Sequence, residues 1–263
     1  MHLDIREILS KRIGRRLPKF ISRPLEKLIH QDELNGFFAT CEGATPEEFL
    51  KKAFEFLNVT HTVEYTAPLA DDERYIFASN HPFGGLDGML LVDALVERFG
   101  DAGAVVNDLL MNISYLEPLW IPINKYGKQS AEKGRRYDEA FSSTTKQVLT
   151  FPAGFCSRHI DGRVQDIEWR SHFVKDALRY NRKIVPVFVE GTLSKRFYRI
   201  YRLRRFLHLN VNLELVLLVD EMFRQRGNHI HIRVGAPIDV ATLEGSRGNI
   251  CKEIRRRAYA LER

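Results

Sequence analysis

The chain reads as an α/β domain with a mixed, largely parallel sheet flanked by helices, together with an N-terminal helical annex. Three observations predict this. Short β-rich runs recur from residue 59 onward, helical stretches separate several of them, and the first 58 residues carry helical periodicity instead. With 263 residues, 44% of them apolar, the chain is large enough for a substantial buried core.

Taken in order, Ile5, Ile8, Leu9, Ile13 and Leu17 recur at three- and four-residue spacing until Pro18 interrupts them. A second piece carries Phe20 and Ile21, and a third is expected after Pro24 with Leu25, Leu28 and Ile29. Thr45-Pro-Glu-Glu48 is a helix start, with Thr45 as the cap and Glu48 closing a capping box; Phe49, Leu50, Ala53, Phe54 and Leu57 form the buried face that follows. The annex is therefore expected over 1–58 and the α/β domain over 59–263. Within the latter, Val59, Val63 and Tyr65 alternate as in a half-exposed strand. Tyr75–Ser79, Ala104–Val106, Ile121–Ile123, Gln147–Phe151, Ile184–Val189, Leu213–Val219 and Ile230–Val234 are the further predicted strands. Helices are expected over Leu86–Phe99 and Lys133–Phe141. In such a fold the site sits at the carboxyl ends of the strands.

Composition narrows the function classes. Cys41, Cys156 and Cys251 are odd in number and show no C-x-x-C spacing, which argues for a reducing compartment and against a cysteine zinc site. The charged opening Met1-His-Leu-Asp-Ile-Arg-Glu lacks the apolar stretch of a signal peptide, and no run approaches the ~18 apolar residues of a membrane span. The net charge of +6 is concentrated: residues 1–30 hold eight Lys/Arg against three acids, and residues 192–213 hold six with none. Two such patches predict anionic partners, among them an anionic membrane surface or an acidic carrier protein. The stretch Lys195–Phe206 interleaves aromatics with arginines but shows no nucleic-acid-binding signature, so no nucleic-acid partner is expected.

One segment concentrates chemistry: Tyr75-Ile-Phe-Ala-Ser-Asn-His-Pro-Phe-Gly-Gly-Leu-Asp-Gly88. His81 and Asp87 would diverge on one regular helix, but Gly84 and Gly85 permit a loop that brings them together. A carboxylate on one ring nitrogen fixes the tautomer and leaves the other nitrogen as a base. On residue types alone a second reading stands level with this one, in which Asn80 turns the chain, Asp87 caps a helix and His81 has no chemical role. Gly154-Phe-Cys-Ser-Arg158 does not form a G-x-S-x-G elbow, so Cys156 and Ser157 read as a loop thiol and a turn serine. His229 and His231 share a strand face without the partners a zinc site needs, and read as sheet histidines.

Asn80-His81 followed by Asp87 after an apolar strand resembles the first motif of the PlsC-type glycerophospholipid acyltransferases. The family's spacing is His, four residues, Asp; this chain has five. Trp120-Ile-Pro-Ile-Asn-Lys125 is similar to the second block, with Lys125 at the acceptor-binding arginine. Phe151-Pro152-Ala153-Gly154 resembles Phe-Pro-Glu-Gly with the glutamate replaced, and Ile184–Gly191 resembles the fourth block. The resemblance implies His81 and Asp87 as catalytic residues, and substrate contacts from Asn80, Gly84, Gly85, Lys125, Phe151, Pro152 and Gly154. Backbone N–H groups near Gly84–Gly85 or Gly154 would stabilise the oxyanion. It implies an acyl–acyl carrier protein or acyl-CoA donor, a lipid-like acceptor, no cofactor, and a peripheral position on the cytoplasmic face of a membrane. Lys125 and Ala153 make glycerol 3-phosphate a poor expected acceptor. A hydroxylated lipid such as an N-acylated amino acid with a 3-hydroxyacyl chain is favoured, with lysophosphatidic acid as runner-up, and Arg158 is the residue that would restore phosphate binding. The rival from another class is a non-catalytic basic protein that binds anionic membranes or nucleic acid.

Overall fold

The computed structural model describes residues 2–107, 113–123, 130–208 and 214–262, with side chains throughout except at 11–13, 107 and 214–216. These residues form two compact units, one of 1–59 with 193–228, the other of 60–192 with 229–263.

The first unit is helical. Helix α1 (Ile5–Ile13) starts on the Asp4 carboxylate and stops at Gly14, whose left-handed backbone is cheapest for glycine. Helix α2 (Lys19–Leu28) runs through Pro24, so the break expected there is absent: a proline removes one backbone donor but does not oblige the chain to leave the helix. Helices α3 (Gln31–Thr40) and α4 (Pro46–Leu57) follow, and α4 opens with the predicted Thr45/Glu48 capping box. Phe37, Phe38, Phe49, Leu50 and Leu57 are buried between them. At the entry to α3, His30 stacks on Phe223 at 3.9 Å while its two ring nitrogens meet Glu33 and Asp220, each at 3.0 Å.

The helical unit also contains 193–228, which the sequence reading placed in the α/β domain. Within it, Leu213–Val219, expected as a strand, belongs mostly to a helix over Glu214–Phe223. A short apolar run fits a buried strand and a buried helix equally, and the chain settles the matter by continuing helically through Asp220–Phe223.

The second unit carries the sheet. Its strands are β1 (Thr60–Tyr65), β2 (Tyr75–Ser79), β3 (Ala102–Asn107), β4 (Trp120–Ile123), β5 (Gln147–Thr150), β8 (Lys183–Val189) and β9 (His229–Val234), and β6 (Arg158–Ile160) with β7 (Arg163–Gln165) forms a separate hairpin. The sheet order is β1-β9-β8-β2-β5-β3-β4, parallel throughout except for β8 against β9. This is the predicted largely parallel architecture. Central β2 is buried on both faces, as both-face helix cover requires. Tyr75 and Phe77 reach Phe99 of α5 (Gly85–Phe99). Ile76 and Ala78 join the opposite core with Phe173, Val174 and Ala177 of α7 (His172–Tyr180) and Ile254 and Ala258 of α10 (Arg247–Tyr259). Helix α6 (Ala131–Ser142) lies along β4, and α8 (Lys195–Phe206) and α9 (Glu214–Phe223) are the remaining helices of the first unit.

Candidate active site

Strand β2 delivers the chain into Asn80-His81 at its carboxyl end. The Asn80 side chain is buried and pairs with the backbone of Val189 in both directions, donating at 2.9 Å and accepting at 2.7 Å. It thus fastens the exit of β2 to the end of β8, a structural task where the sequence reading expected substrate contact. The chain then turns through Gly84, whose φ of 79° and ψ of −118° suit only glycine, and enters α5. Gly191 performs a related service. A Cβ built on it would lie 1.9 Å from the Phe83 ring, so only glycine lets that ring seal the loop.

Asp87 occupies the first turn of α5 and is fully buried. Its carboxylate accepts the Phe83 N–H at 3.0 and 3.1 Å, and its Oδ2 stands 3.0 Å from His81 Nδ1. Negative charge at a helix N-terminus is favoured by the orphan N–H groups and the macrodipole there. The sixth-residue spacing is therefore no obstacle, because the Pro82–Gly84 turn absorbs the residue beyond the usual four. The His81 side chain is 17% exposed, and its ring stacks on Phe151 at 4.0 Å. One face of the imidazole is thus packed and its Nδ1 is engaged. That leaves Nε2 as the nitrogen able to take a proton.

The Phe-Pro-Ala-Gly segment follows β5 and supplies this packing. Pro152 and Ala153 are buried, Ala153 completely. The Gly154 N–H donates to the Phe151 carbonyl at 2.9 Å, closing a turn, so it is committed to the loop and not placed as the oxyanion donor that the sequence reading allowed. Gly84 and Gly85 stand at the start of α5, where helix N–H groups lack intrahelical partners. Arg158 is buried, and its Nη1 donates to the carbonyls of Cys156 and Ser157, which turns it into the loop and away from a phosphate-binding role. Lys125 lies outside the described residues. Burial, with Asp87 and Asp166 nearby, pushes the Cys156 thiol up to about 12 against the pull of Arg158, so it is not a thiolate nucleophile. His229 and His231 hydrogen-bond the hydroxyls of Thr60 and Thr62.

Sequence reasoning missed two contributors. Ser157 donates its backbone N–H to the His81 carbonyl at 2.7 Å, and Asp166 accepts the His81 N–H at 3.2 Å. The adjacent Asp161-Gly162, a two-residue hairpin turn with both residues at positive φ, was the one local signal that a hairpin places Asp166 near the loop.

The sequence profile of an acyltransferase family matches residues 7–263, nearly the whole chain. The chain belongs to this acyltransferase family. The match covers both units, and it removes the non-catalytic reading: the protein is an acyltransferase. Two curated relatives are each named lyso-glycine lipid O-acyltransferase. That of Phocaeicola vulgatus is 34% identical over 249 residues, covering 93% of this chain and 89% of the relative. That of Bacteroides thetaiotaomicron is 35% identical over 249 residues, with 93% and 91% covered. Among solved structures, the 1-acyl-sn-glycerophosphate acyltransferase PlsC from Thermotoga maritima aligns with a TM-score of 0.49 at 18% identity, covering 82% of this chain and 78% of that one. Among the described residues no helix is long and apolar enough to cross a membrane.

Proposed function

We propose that this acyltransferase moves a fatty acyl group from an acyl–acyl carrier protein or acyl-CoA thioester to a hydroxyl of a lipid-like acceptor, with His81 as the base and Asp87 as its orienter. The observation that carries the reading is the 3.0 Å contact between His81 Nδ1 and the fully buried Asp87 carboxylate. Nε2 takes the proton of the acceptor hydroxyl as its oxygen attacks the thioester carbonyl. The N–H groups of Gly84 and Gly85, at the start of α5, stabilise the tetrahedral oxyanion, because a helix start lacks intrahelical acceptors for its first N–H groups and carries the positive end of the dipole. Collapse of the intermediate breaks the carbon–sulfur bond, and the imidazolium returns its proton to the departing thiolate. Phe151 and Pro152 wall the site beside the imidazole.

The acceptor is a glycine lipid lacking one acyl chain, an N-acylated glycine whose acyl chain bears a free hydroxyl. Two features support this. Both curated relatives are lyso-glycine lipid O-acyltransferases at about one-third identity. In addition, the Ala153 position offers a buried methyl and no polar group to order a phosphate. The enzyme works peripherally at the cytoplasmic face of an anionic membrane. In the helical unit Phe20 and Phe206 are 77% and 78% exposed, and Lys19, Arg23, Arg199, Arg202 and Arg205 are exposed beside them in sequence, a combination suited to an acyl–headgroup boundary.

The test is kcat/KM for N-(3-hydroxyacyl)glycine, lysophosphatidic acid and glycerol 3-phosphate with one donor, read as thiol released and ester formed. The N-acylated glycine is expected to lead glycerol 3-phosphate by roughly a hundredfold or more, since an acceptor matched to an apolar pocket gains binding that a phosphomonoester lacks. A preference for glycerol 3-phosphate contradicts the acceptor assignment.

A further inference from the structure

Behind the His81 loop lies a second buried carboxylate that the His81–Asp87 pair does not use. Asp166 follows β7 and is 2% exposed. Its Oδ1 accepts the His81 N–H at 3.2 Å and the Ser157 hydroxyl at 2.6 Å, and its Oδ2 accepts the Trp169 indole N–H at 2.8 Å. The Ser157 N–H closes the circuit on the His81 carbonyl at 2.7 Å. Both backbone polar groups of the base are thus held by one serine–aspartate pair. The pair is itself anchored to α10. The Asp166 N–H donates to the Tyr259 hydroxyl at 2.7 Å, and Arg255 Nη2 donates to the Asp166 carbonyl at 3.0 Å while its guanidinium lies 4.7 Å over the Tyr259 ring.

Such an arrangement is costly to build. A carboxylate taken out of water is destabilising unless hydrogen bonds compensate, and here burial pushes the Asp166 carboxyl up while the Ser157 and Trp169 donors pull it down. Three donors converge on it, and one of them belongs to the base itself. Asp87 holds the imidazole through Nδ1; Asp166 and Ser157 hold the backbone from which the side chain leaves. With both the ring nitrogen and the backbone tied, the position of Nε2 is narrowed, and a displacement of about 1 Å can cost an enzyme on the order of a hundredfold.

We propose that Asp166, acting with Ser157, is a positioning residue for acyl transfer that sets the backbone of His81 so that its imidazole meets the acceptor hydroxyl. This rests on His81 being the base. The variant to make is Asp166→Asn, which keeps the volume but turns one acceptor into a donor. Its kcat should fall about tenfold or more with KM for donor and acceptor unchanged within about twofold, because alignment rather than binding is lost. Introduced into His81→Ala, the same substitution should cost nothing further, since the group it positions is gone. Trp169→Phe removes a donor to Asp166 that does not touch His81; at a comparable loss of Tm it should retain kcat within about threefold. The proposal is overturned if His81→Ala is inactive while Asp166→Asn keeps kcat within twofold of wild type, or if Trp169→Phe loses as much kcat as Asp166→Asn. Wild-type turnover by His81→Ala would instead remove the base assignment, and this proposal with it. Should Asp166→Asn fail to fold, Ser157→Ala takes its place: a severalfold loss of kcat at constant KM supports the proposal, and an unchanged kcat overturns it.

Discussion

At the amino end of β2 a buried cation meets backbone carbonyls, whereas at its carboxyl end two buried carboxylates meet backbone N–H groups and an imidazole. Arg182 is 3% exposed and donates to the carbonyls of Tyr75, Ala140, Phe141, Ser143 and Lys146 at 2.8–3.3 Å. Its five N–H donors are thereby used on the last turn of α6 and the starts of β2 and β5, and positive charge at a helix C-terminus is favoured as well. Burial lowers its pKa to about 10, which leaves it protonated at neutral pH. At the other end Asp87 and Asp166 are just as buried, but the residue they share, His81, keeps part of its side chain in solvent and one ring nitrogen uncommitted to them. The same economy of buried charge therefore yields a staple at one edge and a site at the other. The difference is whether a group with spare hydrogen-bonding capacity remains at the surface.

The comparison breaks most visibly at the staple. Arg182→Met strips five buried carbonyls of their donor and is expected to destabilise the fold by about 3 kcal/mol, a shortfall that partial solvation by entering water only reduces. Thermal or denaturant unfolding measures this, and the folded variant should retain kcat within about twofold because nothing at the site has moved. A variant that loses activity without losing stability would show that the two edges are coupled and not merely contrasted.

A smaller effect sharpens the other side. With its pKa pushed up to about 12, Cys156 is a neutral thiol at pH 8, with a thiolate fraction of roughly one in ten thousand, and the side chain is buried. Iodoacetamide should therefore modify native Cys156 more than about a hundredfold more slowly than a free thiol, and Cys156→Ala should keep kcat within severalfold. The sign is fixed by the upward shift: reactivity grows only as pH climbs toward the raised value. Fast modification at pH 8, read by mass spectrometry, would mean the thiol lies in a charged, open environment instead.

The sequence was legible wherever partners are close in the chain. Thr45 and Glu48 cap their own helix, and the apolar runs of β2, β5 and β8 declare buried strands. The contact between His81 and Asp87 was legible because both flank one glycine turn. What was not legible depends on residues far apart. For Asp166 in Val164-Gln-Asp-Ile-Glu-Trp169 the Asp161-Gly162 turn signals a hairpin but not its partners, since the groups it meets come from positions 81, 157 and 259. The resemblance marks Asn80 as a substrate contact, and the partner that its side chain takes, Val189, is supplied by another strand. Arg158 and Arg182 show the same problem for cations, as nothing in either neighbourhood says whether a guanidinium faces a ligand or its own backbone. The apolar run from Leu213 misled in a different way, through a pattern that fits two secondary structures.

Whether His81 is the base of acyl transfer is tested most directly by the turnover of purified His81→Ala, measured as thiol released from acyl-CoA or acyl–acyl carrier protein in the presence of the N-acylated glycine acceptor. Loss of a general base engaged by a buried carboxylate should lower kcat by about a thousandfold or more, while Tm stays within a few degrees because the ring is only partly buried. Asp87→Asn, which keeps the shape but not the charge, should fall between this variant and wild type. Near-wild-type turnover by a folded His81→Ala protein would contradict the mechanism outright.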